Sequence, residues 1–400
     1  MTDWLIRFFF MILGLAFVFI ASLAVSTNRS GVRYRYLIQI FIVQIIIAFF
    51  FLDSKIGLMT VQVINDGFNL LMDYAADGVS FVFGKQAGES QIFFFSVLMP
   101  IVFISALIGI LKYLRILPLI VKVLGYLLSK VNGMPRLESF NAVSSLTFGQ
   151  SENFILYKNV LGRLPKHRLY TMAATAMSTV SLAIVGAYME LIDAKYVCVA
   201  LALNMFSTFF VLSILNPYEL TEQEKLAPVS NDIGATDSNF FQVLSDYILD
   251  GFKVAIIVGA MLIGFTALLA LLNGIFNAVL GVSFQYCLGI LFYPLAWLMG
   301  LSAGDTLQGA MIMATKLVSN EFIAMQQLTD GSVHLSAHSQ AIVSVFLVSF
   351  ANFTSIGILS GAVRALNEEA GRSVAQFGIK MLYGATLVSM MSAIIVGMFV

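Results

Sequence analysis

Charge is scarce in this chain of 400 residues: 22 Lys and Arg balance 22 Asp and Glu, and charged residues make up 11% of the sequence. A soluble globular domain carries about 25%. With 59% hydrophobic residues, the chain has too little polar surface to cover a fold in water, so lipid must be the solvent for much of it. A net charge of zero excludes a polybasic surface for nucleic acid. Cysteine is almost absent. Cys198 and Cys287 both lie inside apolar runs, which speaks against a disulfide framework or a metal cluster. The three histidines, His167, His334 and His338, fall in loops, and none pairs with a Cys or carboxylate at metal-ligand spacing. That leaves no intramembrane histidine for a hydrolase dyad. Seven prolines and no low-complexity tract argue against long disordered arms.

What is present is a series of long apolar runs. A helix needs about 20 apolar residues to cross about 30 Å of hydrocarbon. Eight runs meet or approach that length: 5–25, 36–52, 91–112, 169–190, 196–215, 253–279, 339–363 and 376–400. The first is too long for a signal core and is followed by Arg29, Arg33 and Arg35, so it reads as a spanning helix rather than a cleaved leader. Residues 61–83 carry an apolar stripe (Ile64, Phe68, Leu71, Ala75, Val79, Val82) opposite Gln62, Asp66, Asn69, Asp73 and Asp77. This is an amphipathic helix suited to the membrane surface. Short apolar pieces follow at 116–131 and 284–300.

Basic residues set an expected orientation. Arg29, Arg33 and Arg35, then Lys112 and Arg115, then Arg163, Lys166 and Arg168, then Arg364 and Arg372 all fall on the cytoplasmic side if the N-terminus lies outside. Eight spans then place the C-terminus outside as well. The mostly acidic loop 216–240 is cytoplasmic in this scheme and has no functional reading.

Residues 134–165 and 301–330 are half apolar and half polar, interrupted by Gly, Ser, Asn and Glu. Interrupted backbone cannot face lipid, because its amides would go unpaired. Both segments read as re-entrant helical hairpins. They recur in corresponding places: each half runs surface helix, span, short helix, broken hairpin, span, span, over about 61–215 and about 240–400. The hairpins carry related clusters, Ser151-Glu152-Asn153-Phe154 and Ser319-Asn320-Glu321-Phe322, and the following spans carry Ser178-Thr179-Val180-Ser181 and Asn352-Phe353-Thr354-Ser355. One hairpin enters from inside and the other from outside. An inverted repeat with paired interrupted segments points to a solute site near the bilayer midplane.

Glu152 and Glu321 are the sharpest features, since an intramembrane carboxylate is costly unless it faces a cavity, a cation or a polar solute. Binding neighbouring backbone amides is the alternative for each. Gln150, Ser151 and Glu152 set an amide, a hydroxyl and a carboxylate side by side, suiting the hydrogen-bonding edge of a nucleobase. Asn352 and Ser355 share a helical face and with Glu321 could grip vicinal sugar hydroxyls, although mid-span Asn and Ser also join helices. Phe350 could pack against a ring. Asp305 reads as a surface cap opening the second hairpin.

These residues resemble the concentrative nucleoside transporters over nearly the whole length, in particular the bacterial branch coupled to protons. The resemblance rests on Ser144-Ser145-Leu146-Thr147-Phe148-Gly149-Gln150-Ser151-Glu152-Asn153-Phe154, Ala183-Ile184-Val185-Gly186-Ala187-Tyr188, Lys316-Leu317-Val318-Ser319-Asn320-Glu321-Phe322, and Ser349-Phe350-Ala351-Asn352-Phe353-Thr354-Ser355-Ile356-Gly357. It implies an all-α, elevator-type integral membrane protein, a homotrimer in the bacterial inner membrane, that takes up nucleosides such as uridine, cytidine and adenosine without a cofactor or bound metal. It implies base contacts from Gln150, Ser151 and Glu152, ribose contacts from Glu321, Asn352 and Ser355, and ring packing by Phe350. It also implies a division into an N-terminal two-span segment (1–60), a scaffold surface helix and span (61–133), a first hairpin with transport helices (134–215), a loop with scaffold elements (216–300), and a second hairpin with transport helices (301–400).

One position departs from the sodium-coupled members, which carry Asn where this chain has Ser145. Phe148, Thr179 and Val180 match the remainder of that ion site. Serine reaches less far than an amide oxygen, and Na⁺ needs several oxygens at fixed distance, so a proton is the expected coupling ion, carried by Glu152 or Glu321. Sodium coupling, an uncoupled channel or sensor, and a membrane hydrolase are the competing functions.

Overall fold

The computed structural model describes residues 2–88, 92–220, 239–331 and 333–400, and all regular structure among them is helical. The chain opens with two apolar helices, α1 (Thr2–Ala24) and α2 (Tyr34–Leu52). The amphipathic stretch becomes one helix, α3 (Lys55–Phe83), started by the Ser54 hydroxyl accepting from the Gly57 N–H and closed at Gly84, whose φ of 92° suits a residue without Cβ. A π-helical turn, Phe94–Leu98, leads into α4 (Pro100–Tyr113), followed by α5 (Ile116–Asn132). Then come α6 (Arg136–Phe148), a 3-10 turn (Glu152–Tyr157), α7 (Lys166–Ser178), α8 (Leu182–Met189) and α9 (Ala194–Leu215).

The second half repeats this order. It runs α10 (Phe240–Leu280), α11 (Phe284–Leu298), α12 (Thr306–Val318), α13 (Glu321–Thr329), α14 (Ala337–Leu347), α15 (Phe353–Leu366) and α16 (Glu368–Gly397). The counterpart of α3 is fused here with the following span. The resulting 41-residue helix α10 is about 60 Å long, twice the hydrocarbon thickness. Of its side chains only Val243, Gly251, Ala255 and Leu269 are buried, while Ile256, Ile263, Leu271 and Val279 stand exposed. That is the pattern of a helix whose outer face meets lipid.

Seven helices among the described residues are long and apolar enough to cross a membrane. They match the expected spans except for 339–363, which the structure divides into α14 and α15. The expected span at 169–190 is likewise interrupted, between α7 and α8. Both interruptions have a local cause. At the first, Thr179 is extended and the Ser181 hydroxyl caps α8 by accepting from the Ala183 N–H. At the second, the Asn352 side chain caps α15 by accepting from the Ser355 N–H at 2.8 Å. Side-chain caps compete with the helical ladder and let a new helix start. Helices α7, α9, α14 and α16 form the buried centre, and α16 alone buries most of its last twenty residues. The loop expected at 216–240 lies largely outside the described residues.

Candidate functional site

The two interrupted spans cross at their breaks. The Phe350 N–H donates to the Thr179 carbonyl at 3.3 Å, so backbone freed at one break is satisfied at the other. The two segments expected as hairpins turn toward the same point. After α6 the chain passes Gly149 at φ 87°, where a Cβ would also press within 3.2 Å of Ser181, and glycine is the residue that fits. After α12 it passes Ser319 and restarts at Asn320, whose side chain accepts from the Ile323 N–H at 3.0 Å. The N-termini of α8, α13 and α15 therefore converge, bringing the positive ends of three helix dipoles together.

They border a cavity of about 240 Å³. Gln150, Ser151, Glu152, Glu321, Phe350, Asn352 and Ser355, all seven expected substrate residues, line it. Polar groups come from the helix breaks. An apolar wall comes from Ile108 and from Val254, Ile257, Val258 and Met261 of α10. This mixture is usual for small-molecule sites.

The polar groups are joined across the repeat. The Tyr188 hydroxyl, on α8 of the first half, donates to Glu321 Oε1 at 2.8 Å. Asn352 Nδ2 donates to Glu321 Oε2 at 3.0 Å. Gln150 Nε2, from the first hairpin, donates to Ser355 Oγ at 3.3 Å. The turn at Gln150 and the one at Glu321 are thus each held by the opposite half. Gln150 Oε1 is buried with no partner. A buried acceptor without a donor costs about 1–3 kcal/mol, so this atom is poised for a ligand N–H. Glu152 makes no hydrogen bond or ion pair with a described side chain, and its charged neighbours are Asp250 and Lys112. The Lys112 ammonium lies 5.6 Å from the centre of the Phe148 ring and 5.0 Å from that of Tyr247.

The ion-coupling candidates divide. Phe148, Glu152 and Glu321 line the cavity. Ser145, Thr179 and Val180 are buried behind it. Ser145 Oγ accepts from Asn153 Nδ2 at 2.8 Å, and the same amide donates to Asn141 Oδ1 at 2.7 Å. Ser144 joins this cluster through Asn153 Oδ1 and the Tyr157 hydroxyl. The Thr179 hydroxyl turns back to the carbonyls of Thr175 and Ala176, at 3.3 Å each.

Three partners escaped sequence reasoning. Tyr188 lies in the Ala183–Tyr188 stretch of the fourth span, where nothing in the sequence marks it as a carboxylate partner. Lys316, in α12, is buried as a cation, and nothing in hydropathy separates it from an exposed lysine. Arg168 figures in the sequence only among the basic residues that set the orientation. It is instead buried against Glu138 at the base of the first hairpin, its Nε and Nη2 reaching the two carboxylate oxygens at 2.6 and 2.9 Å. Asp305 does open α12, but its side chain reaches across the hairpin mouth instead of capping. Oδ2 accepts from the Ser302 hydroxyl at 2.6 Å and the Ser336 N–H at 3.0 Å. Burial acts to raise its pKa, but hydrogen bonds from Ser302, Ser336 and Ser339 outweigh this and hold it at about 2. Asp305 is therefore ionised at physiological pH.

Comparison with known proteins agrees with this geometry. Family models described as Na+ dependent nucleoside transporter N-terminus, nucleoside recognition (Gate), and Na+ dependent nucleoside transporter C-terminus match residues 13–86, 94–195 and 196–397. The purine nucleoside transport protein NupG of Bacillus subtilis is 33% identical, over 98% of this chain and 99% of its own. The chain belongs to the concentrative nucleoside transporter family. The nucleoside permease NupC of Helicobacter pylori is 26% identical over 98% of this chain and 97% of its own. The solved structure of CNTnw in an inward-facing substrate-bound state superposes with a TM-score of 0.90 at 27% identity, covering 98% of each chain. This family member is a multi-pass membrane transporter, and its relatives are transporters rather than enzymes.

Proposed function

We propose that this protein is a symporter that imports nucleosides across the bacterial cell membrane on the proton gradient. The observation that carries the reading is the convergence of both hairpin tips and both helix breaks on one cavity, with Gln150 Oε1 left unpaired in it. Gln150, Ser151 and Glu152 hold the base. Glu321, Asn352 and Ser355 hold the ribose, and Phe350 packs against the ring system. Uridine, cytidine and adenosine are the expected substrates, and the name of the Bacillus relative adds weight to purines.

Proton coupling is favoured by the surroundings of Ser145. A sodium ion would need that oxygen as a ligand, and here it already accepts from the Asn153 amide. The Thr179 hydroxyl is likewise turned to its own helix. Glu152 is the better proton carrier, because it lacks the donors that hold Glu321. The hairpins and interrupted helices form a transport unit that moves as an elevator against a scaffold containing α3 and α10, in a homotrimer. Both termini face the periplasm.

Uptake of labelled nucleoside into proteoliposomes tests the reading. An inward proton gradient should drive accumulation that a protonophore abolishes, and an inward sodium gradient at equal pH should not. Accumulation driven by sodium alone would overturn the coupling. Absence of uptake under either gradient would overturn the function.

A further inference from the structure

Lys316 has no contact with the cavity, yet it is fully buried in the middle of the second half. Its Nζ donates to the Phe346 carbonyl at 2.7 Å, to Ser349 Oγ at 2.7 Å and to Ser389 Oγ at 3.3 Å. The Phe346 ring centre lies 4.6 Å away. Three acceptors for three N–H donors is the set that an ammonium requires. Two of them mark one place. Phe346 lies in the last turn of α14, and Ser349 lies in the break that continues to Phe350 and Asn352. The third, Ser389, belongs to α16 and also hydrogen-bonds Ser349 at 2.8 Å. The charge of Lys316 acts on Glu321, five residues along the same hairpin. Glu321 is itself buried and takes its other side-chain partners, Tyr188 and Asn352, from α8 and from the break before α15.

A buried carboxylate and a buried ammonium each need compensation. The hydroxyl and amide donors on Glu321 are neutral, and the acceptors on Lys316 are neutral, so beyond the helix N-terminus at which Glu321 sits, the formal charge that acts on each is the other's. We infer that Lys316 is a positioning residue for the nucleoside site: it is the fixed counter-charge of Glu321 and the tie that holds the 348–352 break, so that Asn352 and Glu321 present acceptors to a polyhydroxylated ligand. This deepens the reading above and rests on its assignment of Glu321 and Asn352 to the ribose. The chemical consequence is specific. Loss of Lys316 weakens recognition of the sugar hydroxyls and leaves the base contacts of Gln150 and Ser151, on the other hairpin, in place.

The test is competition by uridine and by 2′,3′-dideoxyuridine for uptake in proteoliposomes of the full chain, for wild type, Lys316→Gln and Lys316→Met. Gln keeps hydrogen bonding and removes charge, and Met removes both. Wild type should prefer uridine by at least about tenfold, since a site built to bond hydroxyls rejects an analogue that lacks them. In Lys316→Met the preference should fall below about threefold, through weaker uridine binding alone, with Lys316→Gln between the two. Full preference in both Lys316 variants would overturn the inference. Equal weakening of both ligands would also overturn it, because that is the signature of a merely structural lysine. A wild-type protein indifferent to the missing hydroxyls would instead overturn the ribose assignment, and the inference with it.

Discussion

Glu152→Gln should abolish accumulation of nucleoside against a gradient while exchange across the membrane continues. Glutamine has the shape of a protonated glutamate and carries no charge, so it fixes the side chain in one state of the proposed cycle. In that state the site can still load and move. It can no longer gain a proton on one side and lose it on the other. One pH unit corresponds to about tenfold accumulation for one proton per nucleoside, and this factor should fall to unity in the variant. The position tolerates the change because Glu152 makes no hydrogen bond or ion pair with a described side chain. Counterflow, with unlabelled nucleoside inside the vesicles and labelled nucleoside outside, measures the retained exchange. A variant that still accumulates under a proton gradient would move the carrier away from Glu152.

Arg168→Met should be among the most destabilising single changes in the chain. The guanidinium makes a two-pronged contact with Glu138, and both side chains are almost completely removed from solvent, at 5% and 0% exposure. Tyr218 adds a hydroxyl donor to Glu138 Oε1 at 2.8 Å. Methionine would fill much of the volume but leave a carboxylate buried without its counter-charge, which costs about 3–5 kcal/mol. The contact ties the start of α6 to the start of α7, the two ends of the first hairpin. Its loss should lower the thermal unfolding midpoint of detergent-solubilised protein by roughly 5–10 °C. Replacing Glu138 by Gln in the same chain should recover part of the loss, since no unpaired charge then remains. An unchanged midpoint in Arg168→Met would mean that the hairpin base is hydrated.

Much of this site was legible in the sequence because polar residues are costly in a bilayer. Gln150, Glu152, Glu321 and Asn352 stood out against apolar surroundings, and their repetition in two halves pointed to one place. The breaks after Ser178 and Leu347 were less legible. The apolar run continues through each of them, so hydropathy alone reads a single span. Only the small polar clusters at Ser178–Ser181 and Asn352–Ser355 hint at a cap, and the same residues occur in unbroken spans. Lys316 and Arg168 were illegible for a different reason. Whether a cation is exposed depends on the partner brought to it, and Ser349, Ser389 and Glu138 arrive from 30 or more residues away. The fusion that makes α10 one helix of 41 residues also escaped notice, since its polar start resembles a separate surface helix.

The cavity between Gln150 and Glu321 is proposed above as the nucleoside site. Equilibrium binding of labelled nucleoside to the purified full-length protein, compared with Gln150→Ala, tests it most directly. Gln150 Oε1 is buried without a partner, and the one bond lost with the side chain, Nε2 to Ser355 Oγ, is long at 3.3 Å, so its removal should change folding little while a ligand loses a donor–acceptor pair. Wild type should bind one nucleoside per chain. Gln150→Ala should bind at least about tenfold more weakly at an unchanged unfolding midpoint. Equal affinity in the two proteins would place the nucleoside elsewhere.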